Sequence, residues 1–152
     1  MSLVYGDNFV GQYEIPADYC FAAIFVDTPN IKSSPLLPAK ILKPYCYAGM
    51  FAGSVNVNDS INEAPVLPAK TLAEGCYKNM FSYNGNLTEG PVLPAKTLVK
   101  SCYERIFSEC RSINYIKAMF TTTPSPAYTE YWCYNVPSTG TFVKNSEAEW
   151  NI

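Results

Sequence analysis

A repeated tetrapeptide constrains this chain more than any other feature of its sequence. Leu-Pro-Ala-Lys occurs three times, at residues 37–40, 67–70 and 93–96. Each copy is followed by a second motif, Cys-Tyr-x-x-apolar-Phe, at residues 46–51, 76–81 and 102–107. A degenerate copy of this second motif, Cys-Phe-x-x-Ile-Phe, stands earlier, at residues 20–25. Because one repeat unit cannot bury its apolar face alone, we expect the copies to stack on one another.

The cysteines give the period of the repeat. Cys20 and Cys46 are 26 residues apart, and so are Cys76 and Cys102, whereas Cys46 and Cys76 are 30 apart. The longer unit therefore carries a four-residue insertion, which we place in residues 52–60. That stretch is polar and rich in turn-forming residues, so it is predicted to be a surface loop.

Each unit contains two kinds of local pattern. The Pro-x-Leu-Pro segment lacks several backbone donors and is predicted to be a short extended piece. Leu72, Cys76 and Met80 follow at i, i+4 and i+8, a spacing typical of one face of a short helix. The sequence thus predicts an α/β fold in which short strands alternate with short α or 3₁₀ helices.

The composition excludes several classes of protein. The chain has 152 residues, 48% of them apolar, which is enough for one domain with a core. It has no histidine, so Ser-His-Asp and Cys-His mechanisms and His-ligated metal sites are excluded. No glycine-rich phosphate loop or recurring carboxylate pair is present. We therefore predict no enzyme activity, no cofactor and no metal site, and the net charge of −2 argues against nucleic acid as a partner.

The apolar runs are too short to cross a bilayer, which needs about 20 residues, so no membrane insertion is predicted. The first residues lack the basic and apolar regions of a signal peptide. We interpret this as the trimming of a native signal rather than as evidence for a cytoplasmic protein.

The motif of residues 76–81, followed by Leu87 and then by Leu93 and Pro94, resembles the BspA-like class of leucine-rich repeats. Cys76 stands at that family's aliphatic position and Met80 at its alanine position. The variant is similar to repeats of surface and mobile-element proteins of gut Bacteroides. The resemblance covers about residues 15–120. It implies a right-handed leucine-rich-repeat solenoid of four to five coils in residues 1–120, with residues 121–152 as a C-terminal cap.

The repeat phase also predicts a buried core ladder. Its members are Cys20, Cys46, Cys76, Cys102, Phe25, Phe51, Phe81 and Phe107. The alternatives for the thiols are disulfides or a zinc site, but the even spacing and the absence of a Cys-x-x-Cys pair favour reduced, buried thiols. Cys110 and Cys133 lie outside this phase and are also predicted to be reduced.

Two further sets of residues share a repeat phase and form a candidate binding surface. They are Tyr47, Tyr77 and Tyr103, and Lys40, Lys70 and Lys96. Tyrosines suit protein or sugar contacts, and a row of lysines suits a polyanionic glycan. The simpler interpretation, which we favour at this point, is half-buried tyrosine packing and solvated lysines.

These patterns predict a non-catalytic binding or adhesion module for a protein or glycan partner. The family resemblance implies a location on the cell surface or outside the cell. The alternative is a structural spacer or assembly module of phage or mobile-element origin. The sequence favours no particular oligomeric state.

Overall fold

The repeated Cys-Tyr motif folds as a chain of tight turns, not as a helix. The computed structural model describes residues 13–28, 31, 33–54 and 61–151. In one copy, the N–H of Ala48 donates to the carbonyl of Tyr45 and that of Met50 to the carbonyl of Tyr47, each three residues back. Every fourth residue has a positive φ, as at Gly75 (57°) and Asn79 (55°). These left-handed residues interrupt any continuous helix.

Five such turn segments occur in the described residues. They are residues 19–27, 45–53, 75–83, 101–109 and 127–135. Within each of the first four segments, alternate N–H groups close the turns, and the remaining ones donate to the next segment along the chain. For example, the N–H of Tyr47 donates to Cys76 (3.0 Å) and that of Tyr77 to Cys102 (3.2 Å). The fifth segment, which begins as a single helical turn, accepts from the fourth. The turn segments therefore lie in parallel register, with most backbone donors satisfied either within a segment or between neighbours.

The proline-rich segments between the turns form very few ladder hydrogen bonds. The isolated parallel bridges are Glu14 with Ile41, Ser33 with Glu63, Glu89 with Tyr115, and Leu93 with Ala118. Proline has no N–H, so a segment such as Pro91-x-x-Pro94 cannot pair along its whole length. The proline-rich segments consequently align beside their neighbours through single bridges and do not become strands themselves.

Regular secondary structure is confined to the C-terminal part of the described chain. Strand β1 (Tyr115–Ala118) pairs in parallel with β2 (Thr141–Lys144), with Tyr115 opposite Thr141. The intervening helix α1 (Pro126–Thr129) is a single turn that begins with proline. Proline suits the first helical position because the N–H it lacks would have no partner there. β1 contains no proline, which lets it form the ladder that the earlier segments cannot.

The prediction of a right-handed leucine-rich-repeat solenoid is wrong. The described residues contain only two four-residue strands and one four-residue helix, and no repeat unit pairs a strand with an α or 3₁₀ helix. They form a small compact domain around an aromatic core. A spacing of four fits a helix face, but it is also the spacing of the left-handed turn residues, so apolar side chains at i, i+4 and i+8 reach the core without a helix.

The core runs through all of the turn segments and ends against two tryptophans. Phe120 stacks on Trp150 at 4.8 Å and meets Trp132 edge-on at 5.5 Å. The indole N–H of Trp150 donates to the carbonyl of Phe120 at 3.1 Å. Residues 121–151 thus pack against the last repeated unit.

The predicted surface loop of residues 52–60 lies largely outside the described residues, since 55–60 are not described.

Candidate binding surface

The cysteines at the repeat phase face the core. Cys46, Cys76 and Cys102 are fully buried, and Cys20, in the first turn segment, is half-buried. All six cysteines are free thiols. Burial raises the pKa of Cys46 and of Cys102 to about 11, because the interior disfavours the thiolate. These side chains therefore act as small apolar groups, with neither disulfide nor nucleophilic character.

The phenylalanines at the repeat phase form a row of stacked rings. Phe51, Phe81 and Phe107 are buried, and Phe25 is half-buried at the first segment. The ring centroids of successive members lie 5.6, 5.9 and 6.0 Å apart. Since offset stacks of this spacing add to the energy of burial, the phenylalanine row holds neighbouring turn segments together.

The tyrosines proposed for the binding surface lie in the core instead. Tyr47, Tyr77 and Tyr103 are almost completely buried, and their rings stack 6.0 Å apart. None of the three hydroxyl groups has a hydrogen-bond partner among the described residues. Desolvation raises the pKa of Tyr77 well above its usual value. These tyrosines are not available for contact with a partner.

Removing one of these buried hydroxyls should stabilise the protein. We expect Tyr77→Phe to raise the free energy of unfolding by about 1–2 kcal/mol, because it removes an unpartnered polar group and keeps the ring. Tyr45→Phe is the matched control, since the Tyr45 hydroxyl donates to Glu74 at 2.9 Å and its loss should be neutral or unfavourable. Urea denaturation measures both; a loss of stability in Tyr77→Phe would contradict the assignment.

The residues that do face solvent are aliphatic side chains that sequence reasoning missed. Leu36, Val66 and Val92 are 56%, 80% and 44% exposed. Each of them directly precedes a leucine that is buried. The two differ in exposure because successive side chains of an extended segment point to opposite sides. The sequence feature that could have predicted their exposure is the alternation within Pro-x-Leu-Pro, where the leucine is the same in all three copies and the residue before it changes.

Lysines border this exposed aliphatic row. Lys40, Lys70 and Lys96 are all exposed. The ammonium of Lys40 lies 4.7 Å from the centre of the Tyr13 ring, and Lys96 forms an exposed ion pair with Glu147 at 3.2 Å. Lys70 makes no ion pair within the described ranges. These lysine ammonium groups are therefore solvated mainly by water and are not held by strong ion pairs within the protein.

We define the outer face as three parallel rows of residues on the extended segments. The rows are Leu36, Val66 and Val92; Pro38, Pro68 and Pro94; and Lys40, Lys70 and Lys96. A groove of about 470 Å³ runs along the outer face and is lined by residues of two neighbouring repeats, including Leu36 and Val66. The exposed Glu63 and Glu89 begin two of these segments, so the edge opposite the lysines is acidic.

A second groove lies on the turn segments. It has a volume of about 340 Å³ and is lined by Tyr83, Arg105, Ser108, Glu109, Tyr131 and Tyr134. The guanidinium of Arg105 sits 5.2 Å from the centre of the Tyr131 ring. Both carboxylate oxygens of Glu109 are already engaged, one by Arg111 and the other by Asn135. This groove occurs once, whereas the outer face is built from three copies of one motif.

No helix of the described residues is long and apolar enough to cross a membrane. Among the same residues, no group of three or more Cys, Asp or Glu side chains is placed to hold a metal ion. Comparison with protein-family models, with curated proteins and with solved structures finds no match to the chain.

Proposed function

We propose that this chain is a non-catalytic binding module that holds a protein partner on its outer face. The supporting observation is that Leu36, Val66 and Val92, at one position of three successive repeats, are all exposed, and that Leu36 and Val66 line one groove. Exposed aliphatic side chains lower the solubility of a protein, and these three add nothing to the core, which the neighbouring leucines already fill. Their repetition at one position of the motif suits a partner that contacts several repeats at once.

The chemistry of the outer face favours a protein over a glycan. Its centre is aliphatic and proline-lined, and it holds no exposed aromatic ring against which a sugar would stack, apart from Tyr13 at one end. The lysine border favours acidic groups on the adjacent side of the partner. We therefore propose an extended, partly apolar protein segment with acidic residues along one edge.

The resemblance to BspA-like repeats supports a location on the cell surface or outside the cell, and we propose that location for the module. This placement depends on the resemblance alone.

A displayed random-peptide library tests the proposed function without a known partner. We expect selection on the wild-type protein to enrich aliphatic peptides with acidic residues. Val66→Ser and Val92→Ser together should weaken the binding of these peptides about 100-fold, since each substitution removes about 1–1.5 kcal/mol of apolar contact. Lys70→Glu should also weaken it.

Tyr134→Ser, on the turn-segment groove, is the matched control and should leave peptide affinity unchanged. Peptides that lose affinity only in this control would move the binding site to that groove and contradict the proposal. A failure to enrich any peptide, together with association of the protein that rises with its concentration, would favour the alternative of a structural or assembly module.

A further inference from the structure

The phenylalanine row stops one segment before the turn segments do. Phe107 donates its N–H to the carbonyl of Trp132 at 2.9 Å, so the next side chain at this repeat position is that of Cys133. A thiol occupies much less volume than a phenyl ring. The ring that would continue the row beyond Phe107 is therefore missing from the last turn segment.

A cavity lies where this ring is missing. Its volume is about 310 Å³, and its apolar wall consists of Ile113, Ile116, Cys133, Val136 and Phe142. The space adjoins the end of the row, because a Cβ atom built on Gly90 would meet both the Phe107 ring and the Ile113 side chain, at 2.9 and 3.3 Å. Ile113, which lines the cavity, thus lies next to the Phe107 ring at the end of the row.

The lining defines the chemistry of an occupant. No residue that lines the cavity carries a charge, so a charged ligand would lose its hydration without compensation. Asn114, Ser138 and Thr139 stand at its exposed side and offer hydrogen bonds to one polar substituent. The volume is about twice that of a 150 Å³ apolar cavity known to bind benzene, and it falls at the lower end of ligand pockets.

We propose that this cavity binds a small uncharged aromatic molecule of one or two rings, which takes the place of the missing phenylalanine. The bound ring packs between Ile113 and Phe142 and extends the row that Phe51, Phe81 and Phe107 form. This site is separate from the outer face, so its test is independent of the proposed protein partner.

Calorimetric titration with indole tests the proposal. We expect saturable binding of one indole per chain in the wild-type protein. Cys133→Phe should abolish it by filling the cavity with its own ring, whereas the control Cys133→Ala should retain it. Absence of saturable binding in the wild type, or equal binding by a folded Cys133→Phe, overturns the proposal.

Alkylation of the wild-type protein provides a second readout that needs no variant to fold. Cys133 lines the cavity and is half-buried, as is Cys20 at the opposite end of the turn segments. Burial raises the pKa of the Cys133 thiol, so its labelling is slow and is followed over a long time course. Indole at ten times its dissociation constant should slow iodoacetamide labelling of Cys133 about tenfold and leave Cys20 unchanged. Unchanged labelling of Cys133, or equal slowing of both thiols, contradicts occupancy of the cavity.

Discussion

Raising the pH from 8 to 11 should unfold this protein. Burial raises the pKa of Cys46 and Cys102 to about 11 and of Cys110 to about 12, whereas an unfolded thiol titrates near 9. A folded pKa above the unfolded one means that the stability is complete below pH 9 and is lost as the pH rises toward the folded value. Each thiol should remove about 1.4 kcal/mol per pH unit, or about 4 kcal/mol per unit for these three, and Cys76 and Cys133, whose pKa burial also raises, add to this slope.

Circular dichroism combined with urea titration at each pH measures this loss. The buried tyrosines steepen it above pH 10, since desolvation also raises the pKa of Tyr77 and Tyr103. Cys46→Val should reduce the slope by one titrating group, and the control Met80→Leu should not alter the slope, because it exchanges one buried apolar side chain for another. Stability that is constant from pH 8 to 11 would show that the thiols are not buried as described.

Phe81→Ala should lower the free energy of unfolding by about 3–5 kcal/mol. Phe81 is fully buried, and its ring stacks between those of Phe51 and Phe107 at 5.9 and 6.0 Å. Its removal therefore creates a cavity and breaks two ring contacts between neighbouring turn segments.

Phe25→Ala is the matched control for this substitution. Phe25 occupies the same repeat position but is half-buried and stacks on one ring, Phe51. We expect less than half the loss that Phe81→Ala produces, as measured by urea denaturation. Equal losses for the two variants would contradict the decrease in packing toward the first turn segment.

The sequence could predict which residues share an environment, because equivalent positions of a stacked repeat meet equivalent neighbours. Cys46, Cys76 and Cys102 accordingly share one fully buried position. The local conformation was less accessible, since a spacing of four fits both a helix face and a chain of turns with a left-handed residue at every fourth position. Gly75 and Asn79 are residue types that accept a positive φ, but Arg105, with a φ of 52° at the position equivalent to Asn79, is not, so the repeat shows no consistent signature for the turns.

The candidate site was harder to predict than the core. The tyrosines are predicted to be half-buried, because a hydroxyl normally keeps one end of the ring in water. In the structure the three rings are almost completely buried, and their hydroxyls have no partner among the described residues. The lysine row is exposed as its charge requires. Leu36, Val66 and Val92 escaped notice because an apolar residue beside an invariant leucine is usually assigned to the core, and only the direction of each side chain separates them.

Quantitative labelling of the cysteines tests the central claim most directly, namely that the repeats share one buried core of thiols and rings. Mass spectrometry after brief treatment of the native protein with iodoacetamide at pH 8 should find Cys46, Cys76, Cys102 and Cys110 unmodified. Rapid modification should be limited to Cys20; Cys133 should react only slowly, because burial raises the pKa of its thiol, and all six thiols should react in denaturant. Rapid labelling of Cys76 in the native protein would contradict the account.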